Sequence, residues 1–180
     1  MRIETQQSLK HKMVELKARV DDHDFLRKKL SALGAEYTGT FQQSDLYFRV
    51  PEGRLKLRTV KDNNKAELIY YERESIAGPK SDDAFILRVQ EPEDQKKVLK
   101  KILAPLIVIE KVREIYQYQG TQIHLDTVKQ LGKFIEFERQ TSDDLKSIEK
   151  DRRILERLME KLEIDPGNLE TLSYSDLAEN

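Results

Sequence analysis

Cysteine is absent from the sequence, which excludes disulfide bonds and any chemistry that needs a thiol. Hydrophobic runs long enough to cross a bilayer are also absent, since the longest, ILAPLIVI at residues 102–109, is short and contains a proline. Residues 1–12 lack the apolar core of a signal peptide. From these absences we expect a soluble, cytoplasmic protein with no membrane partner.

A net charge of one sign is lacking as well. The 32 lysines and arginines and the 33 aspartates and glutamates leave a formal net charge of −1, which gives no overall reason to expect nucleic acid as a partner. Charged residues nevertheless make up 36% of the 180 residues. Their use must therefore be sought locally. The length predicts one domain, residues 13–180, after an N-terminal extension, residues 1–12.

Apolar residues follow two kinds of periodicity along the chain. Helical spacing covers residues 21–34, 92–103 and 142–162, with Ser142 as the expected cap of the last helix. Residues 75–83 are predicted to form a loop. Strand alternation is found in eight segments, residues 14–20, 43–50, 54–60, 66–74, 84–90, 108–118, 121–128 and 134–139. Eight strands joined by short turn sequences indicate an antiparallel sheet that is curled or closed.

Charged residues share one face of most of these strands, because side chains alternate along a strand. The sets are Glu15, Lys17 and Arg19; Asp45 with Tyr47; Lys56 and Arg58; Lys111 and Arg113; His124 and Asp126; Glu136 and Glu138. One interpretation is that these are the solvated outer faces of a sheet that is buried on one side. Alternation alone does not decide between that and a charged site.

The charges are also sorted by sign, which favours a site. Lys-x-Arg occurs in two strands and Glu-x-Glu in another, and neighbouring like charges repel each other unless a ligand neutralises them. Carboxylates suit Mg²⁺ or Mn²⁺, and arginines grip phosphate oxygens in pairs. If these strands close into a barrel, its lumen would be a charged tunnel for a metal–polyphosphate, and such a tunnel would be costly to keep empty.

Several motifs, in order over residues 13–177, resemble the CYTH superfamily, the group of class IV adenylate cyclases, thiamine triphosphatases and inorganic tripolyphosphatases. They are VELKARV, SDLYFRVPEGRLKLR, ELIYYERE, EKVREIYQY, IHLDTVKQLGKFIEFE and SYSDL. The resemblance implies the triphosphate tunnel metalloenzyme fold. This is an α+β fold, an eight-stranded antiparallel closed β-barrel flanked by helices, which binds a triphosphate-containing small molecule and Mg²⁺ or Mn²⁺ inside.

The resemblance also implies roles for individual residues. Glu15 and Lys17 match the second glutamate and the lysine of the ExExK signature and are the expected catalytic residues, while Met13 stands where the signature has its first glutamate. The implied metal ligands are Glu15, Asp126, Glu136 and Glu138. The implied substrate-binding residues are Lys17, Arg19, Lys56, Arg58, Arg73, Arg88, Lys111 and Arg113.

Three functions are compatible with this reading. The first is a metal-dependent phosphohydrolase acting on inorganic tripolyphosphate, thiamine triphosphate or a nucleoside triphosphate, in which Lys17 contacts phosphate or activates water. The second is a class IV adenylate cyclase that converts ATP to cyclic AMP and pyrophosphate. The third, motivated by Met13, is a module that binds polyphosphate or nucleotides without turnover.

His124 is a candidate base or a structural residue, and Tyr174 is expected to anchor the C-terminal segment over the tunnel mouth. We expect a monomer or a homodimer.

Overall fold

The computed structural model describes residues 10–63, 65–73 and 78–179, including every side chain in these ranges except those of Lys65 and Arg73. The strands are β1 Lys10–Arg19, β2 Glu36–Phe48, β3 Arg54–Val60, β4 Lys65–Arg73, β5 Lys80–Gln90, β6 Pro105–Tyr118, β7 Thr121–Val128 and β8 Gly132–Gln140. The helices are α1 His23–Ala32, α2 Pro92–Ile102, α3 Leu145–Lys161 and α4 Tyr174–Glu179, with a 3-10 helix at Pro166–Asn168.

The eight strands form a closed antiparallel barrel in the order β1-β5-β4-β3-β2-β6-β7-β8. Two runs of sequential neighbours, β2 to β5 and β6 to β8, are joined by the pairing of β2 with β6. β1 closes the barrel by pairing with β5 on one side and β8 on the other. The predicted fold, a closed barrel flanked by helices, is confirmed. In the described ranges no helix has the length and apolar character needed to cross a membrane.

Local sequence signals explain where several elements start and stop. The side chain of Asp22 accepts a hydrogen bond from the backbone N–H of Asp24 and caps α1. Gly34, with φ of +75°, follows the end of that helix in the left-handed conformation. Gln119 and Gly120 both have positive φ, as a two-residue turn between twisted antiparallel strands requires. This turn fixes the register of β6 and β7, which carry site residues.

Several boundaries differ from the predictions. α3 begins at Leu145, because the side chain of Asp144 rather than that of Ser142 caps it by accepting from the backbone N–H of Ser147. β5 begins at Lys80, so the end of the predicted loop at residues 75–83 is strand; residues 75–77 lie outside the described residues. β1 begins at residue 10, inside the predicted N-terminal extension, of which residues 1–9 are not described. β2 begins seven residues before the predicted start, at residue 36.

The apolar core lies outside the barrel wall, between the strands and the helices. The outward faces of β1, β7 and β8 pack against α1 and α3 through buried Val14, Leu16, Ala18, Leu26, Leu30, Ile123, Leu125, Ile135, Phe137, Leu155, Leu158 and Leu162. A smaller cluster that includes Leu46, Leu57 and Val89 packs against Leu99 of α2. Because the apolar faces are covered outside, the polar faces of the same strands point into the lumen. The one-sided solvated sheet is therefore the wrong interpretation.

Candidate functional site

Two adjoining cavities of about 310 and 460 Å³ occupy the lumen. They share wall residues from β3, β4, β5, β6, β7 and β8, among them Arg58, Ile69 and Arg113, and so form one continuous space. One end is closed by an apolar cluster in which the rings of Phe134 and Tyr174 meet edge to face, 5.0 Å apart. The lumen is therefore a tunnel blocked at one end.

Two arginines are fixed in the lumen by buried aspartates on the neighbouring strands. Arg58 donates from Nε and Nη2 to the two oxygens of Asp45, directly opposite, at 2.8 Å each. Arg113 and Asp126 repeat this arrangement, with Nε 2.7 Å from Oδ1. Nη1 of neither arginine bonds another described residue. Each guanidinium is thus held in a fixed orientation with one nitrogen available to a ligand.

Two lysines lie two residues before these arginines on the same faces. Lys56 Nζ is 3.1 Å from Asp45 Oδ2, and Lys111 Nζ is 3.7 Å from the same oxygen and 3.8 Å from Asp126 Oδ2. Burial and the charge of Arg113 lower the pKa of Lys111 to about 7. Burial by itself would raise the pKa of Asp45, but Arg58, Lys56 and Lys111 hold it well below its usual value. Asp45 is therefore charged at neutral pH.

Glu136 connects this basic group to the remaining acidic residues. Its Oε2 accepts from Nη2 of Arg113, and its Oε1 lies 3.3 Å from Lys17 Nζ. Burial would raise the pKa of Glu136, but the charges of Arg113 and Lys17 hold it well below its usual value. The five basic side chains Lys17, Lys56, Arg58, Lys111 and Arg113 thus face three carboxylates, those of Asp45, Asp126 and Glu136. The same cavity is also lined by the carboxylates of Glu15, Asp82 and Glu138, so basic and acidic side chains share the lumen.

Glu136, Glu138 and His124 form a second group, whose ligand atoms all lie within 4.8 Å of one another. Glu138 is directly opposite Glu15 on β1, and both face the lumen. Nδ1 of His124 is buried and has no hydrogen-bond partner among the described residues. Carboxylate oxygens together with such a nitrogen are a donor set that suits a divalent cation. The residues present fit the metal that the sequence predicts.

Two predicted site residues, the metal ligand Asp126 and the substrate-binding Arg19, do not line the cavities. Asp126 is fully buried, and its oxygens accept hydrogen bonds from Arg113 and from the hydroxyl of Tyr174, which donates at 2.8 Å. In the structure it therefore orients these two groups. Arg19 lies at the closed end, where it is exposed, pairs with Glu170 at 3.2 Å and stacks on Phe134. It does not line either cavity, because its layer of the barrel is filled by Phe134.

The other predicted phosphate contacts are distributed along the tunnel. Lys17, Lys56, Arg58, Lys111 and Arg113 all line the first cavity. Arg88 lines only the second cavity, towards the open end, where it is directly opposite Glu67. The side chain of Arg73 lies outside the described residues. The structure therefore brings five of the predicted basic residues together and places Arg88 apart from them.

Two site residues were missed by sequence reasoning. Asp45 was noticed on the polar face of its strand but received no role, because nothing in the local pattern shows that Arg58 lies opposite. Lys80 is fully buried and donates from Nζ to the carbonyl oxygen of Thr171 at 2.8 Å. It fell within the predicted loop, although the alternation of Asp82, Ala84 and Ile86 into the lumen could have extended the strand back to it.

The chain after α3 closes one end of the lumen. Lys17 Nζ donates to the carbonyl oxygen of Leu172 at 3.2 Å, next to the contact of Lys80 with Thr171. Lys17 Nζ also lies 4.1 Å from the ring centroid of Tyr174. Arg54 holds the following helix, α4, through Asp176 at 2.6 Å. Tyr174 thus anchors the C-terminal segment inside the barrel end, as predicted.

Comparisons with known proteins agree with this geometry. A family model described as the CYTH domain matches residues 11–174. A protein of Methanocaldococcus jannaschii named a "putative adenylate cyclase" is 28% identical over 181 aligned residues, which cover 91% of this chain and 97% of that protein.

Solved structures share the fold. A "putative adenylate cyclase" of Vibrio parahaemolyticus is 21% identical, with a TM-score of 0.82 over 94% of this chain and 99% of that one. A "putative adenylyl cyclase" of Hippeastrum, described as having a dominant triphosphatase activity, is 18% identical, with a TM-score of 0.64 over 92% of this chain and 93% of that one. At these identities the structural likeness speaks for the fold alone.

Proposed function

This chain belongs to the CYTH family, and from that premise we propose that it is a divalent-metal-dependent phosphohydrolase acting on a triphosphate group in the lumen. The observation that carries the proposal is that Lys56, Arg58, Lys111 and Arg113 converge on one cavity, beside the carboxylates of Glu15, Glu136 and Glu138. Arginine and lysine side chains bind phosphate oxygens, and carboxylates bind the divalent cations that accompany polyphosphates. A triphosphate with a divalent cation matches both sets of charges.

The basic residues would divide the binding of the phosphates between them. Arg58 and Arg113 each present Nη1 from an orientation fixed by an aspartate, so little entropy is lost when they bind oxygen. Lys56 lies on the same strand face as Arg58, and Lys111 on the same strand face as Arg113. Their ammonium groups add positive charge but do not impose a fixed hydrogen-bond geometry. Lys17 is bonded to Leu172 and Glu136, and these contacts favour a role in positioning Glu136 rather than in accepting a proton.

Glu15, Glu136 and Glu138 would hold a divalent cation, which the family uses. When bound, such an ion supplies a Lewis acid that stabilises negative charge on phosphoryl oxygens. The charges of Lys17 and Arg113 keep Glu136 ionised and fix its orientation. Glu138 is 29% exposed at its side chain, so it can adjust its position when an ion enters.

In the proposed reaction a water oxygen attacks the terminal phosphorus in line, the bond from that phosphorus to the bridging oxygen breaks, and the water proton passes to solvent or to a phosphate oxygen. Charge develops on the terminal and bridging oxygens in the transition state. Arg58 and Arg113, fixed by Asp45 and Asp126, are oriented in advance to stabilise that charge. Most of the acceleration would then come from groups that need no rearrangement during the reaction.

A class IV adenylate cyclase is the second candidate, and one feature of the tunnel favours it. Ile69, Tyr71 and Ile86 form an apolar wall on β4 and β5 beside the basic group, which is suited to an organic moiety such as a nucleobase. The Methanocaldococcus relative is also named for this activity. A cyclase would use the same phosphate contacts but direct the ribose 3′-hydroxyl onto the α-phosphate.

Product analysis separates the candidates. The purified protein is incubated with tripolyphosphate, thiamine triphosphate, ATP and GTP, each with Mg²⁺ or Mn²⁺, and orthophosphate, pyrophosphate and cyclic AMP are quantified. We expect orthophosphate without cyclic AMP. Cyclic AMP with pyrophosphate would contradict the hydrolase and support the cyclase, and the absence of every product would leave the module that binds without turnover.

The lowered pKa of Lys111 predicts that the protein takes up a proton when it binds a triphosphate. At pH 8 most of the free protein has neutral Lys111, because its pKa is about 7. A bound polyanion raises that pKa, so binding takes up a proton, and the affinity falls as pH rises above 7 by at most about tenfold per unit. Calorimetry of tripolyphosphate binding at pH 8, in two buffers with different ionisation enthalpies, measures the uptake.

Lys111→Arg is the matched control for this prediction, since arginine keeps its charge at pH 8 and the titration of the ligand itself is unchanged. We expect the variant to take up fewer protons than the unmodified protein and to show a flatter pH dependence of affinity. Equal proton uptake by the two proteins would assign the titration to another group.

A further inference from the structure

The side chain of His124 is positioned to bind a cation through Nδ1. The side chain is 1% exposed and lies on β7 directly opposite Glu136. Nε2 lies 2.8 Å from Oε1 of Gln122, and with the amide in this orientation Nε2 donates the hydrogen bond and carries the ring proton. Nδ1 is therefore the nitrogen with the free electron pair in the neutral ring.

That electron pair faces negative charge. Nδ1 lies 3.6 Å from Oε1 of Glu138 and 3.8 Å from Oε2 of Glu136, too far for hydrogen bonds, and it has no other partner among the described residues. A buried acceptor that faces two carboxylates is unfavourable unless a positive charge lies between them. Three ligand atoms within 4.8 Å of one another leave a position for one cation.

The position of His124 in the barrel also relates to Met13. β8, which carries both glutamates, is flanked by β1 and β7. On the β1 side Glu15 lies opposite Glu138, and Met13 lies opposite Gln140 and offers no carboxylate. On the β7 side His124 supplies a nitrogen beside Glu136. A cation held by His124, Glu136 and Glu138 would lie on the β7 side of β8, away from Met13.

We propose that His124 is a metal ligand of this chain, together with Glu136 and Glu138, and that it makes the site selective for Mn²⁺ or Co²⁺ over Mg²⁺. Imidazole nitrogen suits these transition metals, whereas Mg²⁺ prefers oxygen ligands and retains its waters. Gln122, bonded to Nε2, fixes the tautomer and orients the ring. The inference rests on the metal dependence in the proposed function, but not on the identity of the substrate.

Electron spin echo spectroscopy of Mn²⁺ bound without substrate tests the assignment directly. A coordinated imidazole gives a nitrogen coupling, and labelling the histidines with ¹⁵N changes its frequencies. We expect the coupling in the unmodified protein and its loss in His124→Gln. His11→Gln is the matched control, because His11 lines the first cavity together with Glu136 and Glu138 but lies outside the three-residue group, and it should retain the coupling.

Competition between Mn²⁺ and Mg²⁺ gives a second readout. Losing even an indirect partner of a metal ligand weakens affinity about tenfold or more, so the Mn²⁺-to-Mg²⁺ affinity ratio of His124→Gln should fall at least about tenfold. Bound Mn²⁺ without nitrogen coupling, coupling that survives in His124→Gln, or no saturable Mn²⁺ binding would each overturn the proposal. Coupling in a protein that turns over no triphosphate would support it while defeating the proposed hydrolase.

Discussion

Glu136→Gln is expected to lower kcat for triphosphate hydrolysis by about 10²- to 10³-fold, the scale at which a fixed electrostatic group contributes to catalysis. Glu136 is shared by the two halves of the site, because its oxygens contact Arg113 and Lys17 while it faces the proposed cation position. Glutamine keeps the shape but removes the charge, and its amide nitrogen would face one of these cations. Phosphate release at saturating metal and substrate measures the effect.

Glu110→Gln is the matched control for that variant. Glu110 lies on β6 with its side chain 54% exposed and pairs with Lys129 on the surface, so the same change from carboxylate to amide should leave kcat within about twofold, since exposed pairs contribute little. Turnover of Glu136→Gln close to that of the control would show that this carboxylate does not act in the reaction.

Arg113→Met is expected to destabilise the fold by about 3–5 kcal/mol, the cost of leaving a buried charge without its partner. The guanidinium bonds both Asp126 and Glu136, and all three side chains are buried. Burial would raise the pKa of Asp126, but Arg113 and Lys111 keep it below its usual value. Urea denaturation measures the loss, and tripolyphosphate binding should be lost with it.

Two further variants distinguish charge from packing. Adding Asp126→Asn to Arg113→Met removes one uncompensated carboxylate and should recover part of the stability without restoring binding. Arg27→Met removes the same kind of two-pronged contact, with Glu114, from a position where Arg27 is 42% exposed, and should cost clearly less than Arg113→Met because water can reach the pair. Equal losses for Arg27→Met and Arg113→Met would contradict the assigned role of burial.

The sequence predicted the faces of the strands well, because alternation follows directly from strand geometry. Lys56 with Arg58, and Glu136 with Glu138, share the lumen as their spacing indicates. The turn at Gln119-Gly120 was also readable, since few residues accept positive φ at two successive positions. Alternation does not show whether the charged face or the apolar face of a strand points out of the barrel. In the structure the helices cover the apolar face, so the charged face points inward. The family resemblance had implied this orientation.

The long-range pairings were out of reach for local reasoning. β1 joins β5 and β8, and only this closure places Lys17 against Glu136 and brings Glu15 opposite Glu138. The same limit applies to Asp126, for which the resemblance implies a metal ligand but whose opposite neighbour across the sheet is Arg113. By strand alternation Arg19 points to the same side of β1 as the lumen residues Glu15 and Lys17, yet it lies one layer past the cavity. Alternation therefore predicts which face of the sheet a side chain is on, but not how far along the barrel axis it lies.

Calorimetric titration of the protein with tripolyphosphate, pyrophosphate and orthophosphate in EDTA, where metal-dependent turnover is suppressed, tests directly whether the lumen binds a triphosphate. We expect one site per chain and affinity that decreases in that order. Lys56→Ala should weaken tripolyphosphate binding at least about tenfold, the worth of one charge-assisted contact, and Lys129→Ala on the exposed surface should not. Absence of saturable binding, or equal affinities for Lys56→Ala and Lys129→Ala, would contradict a triphosphate site in the lumen.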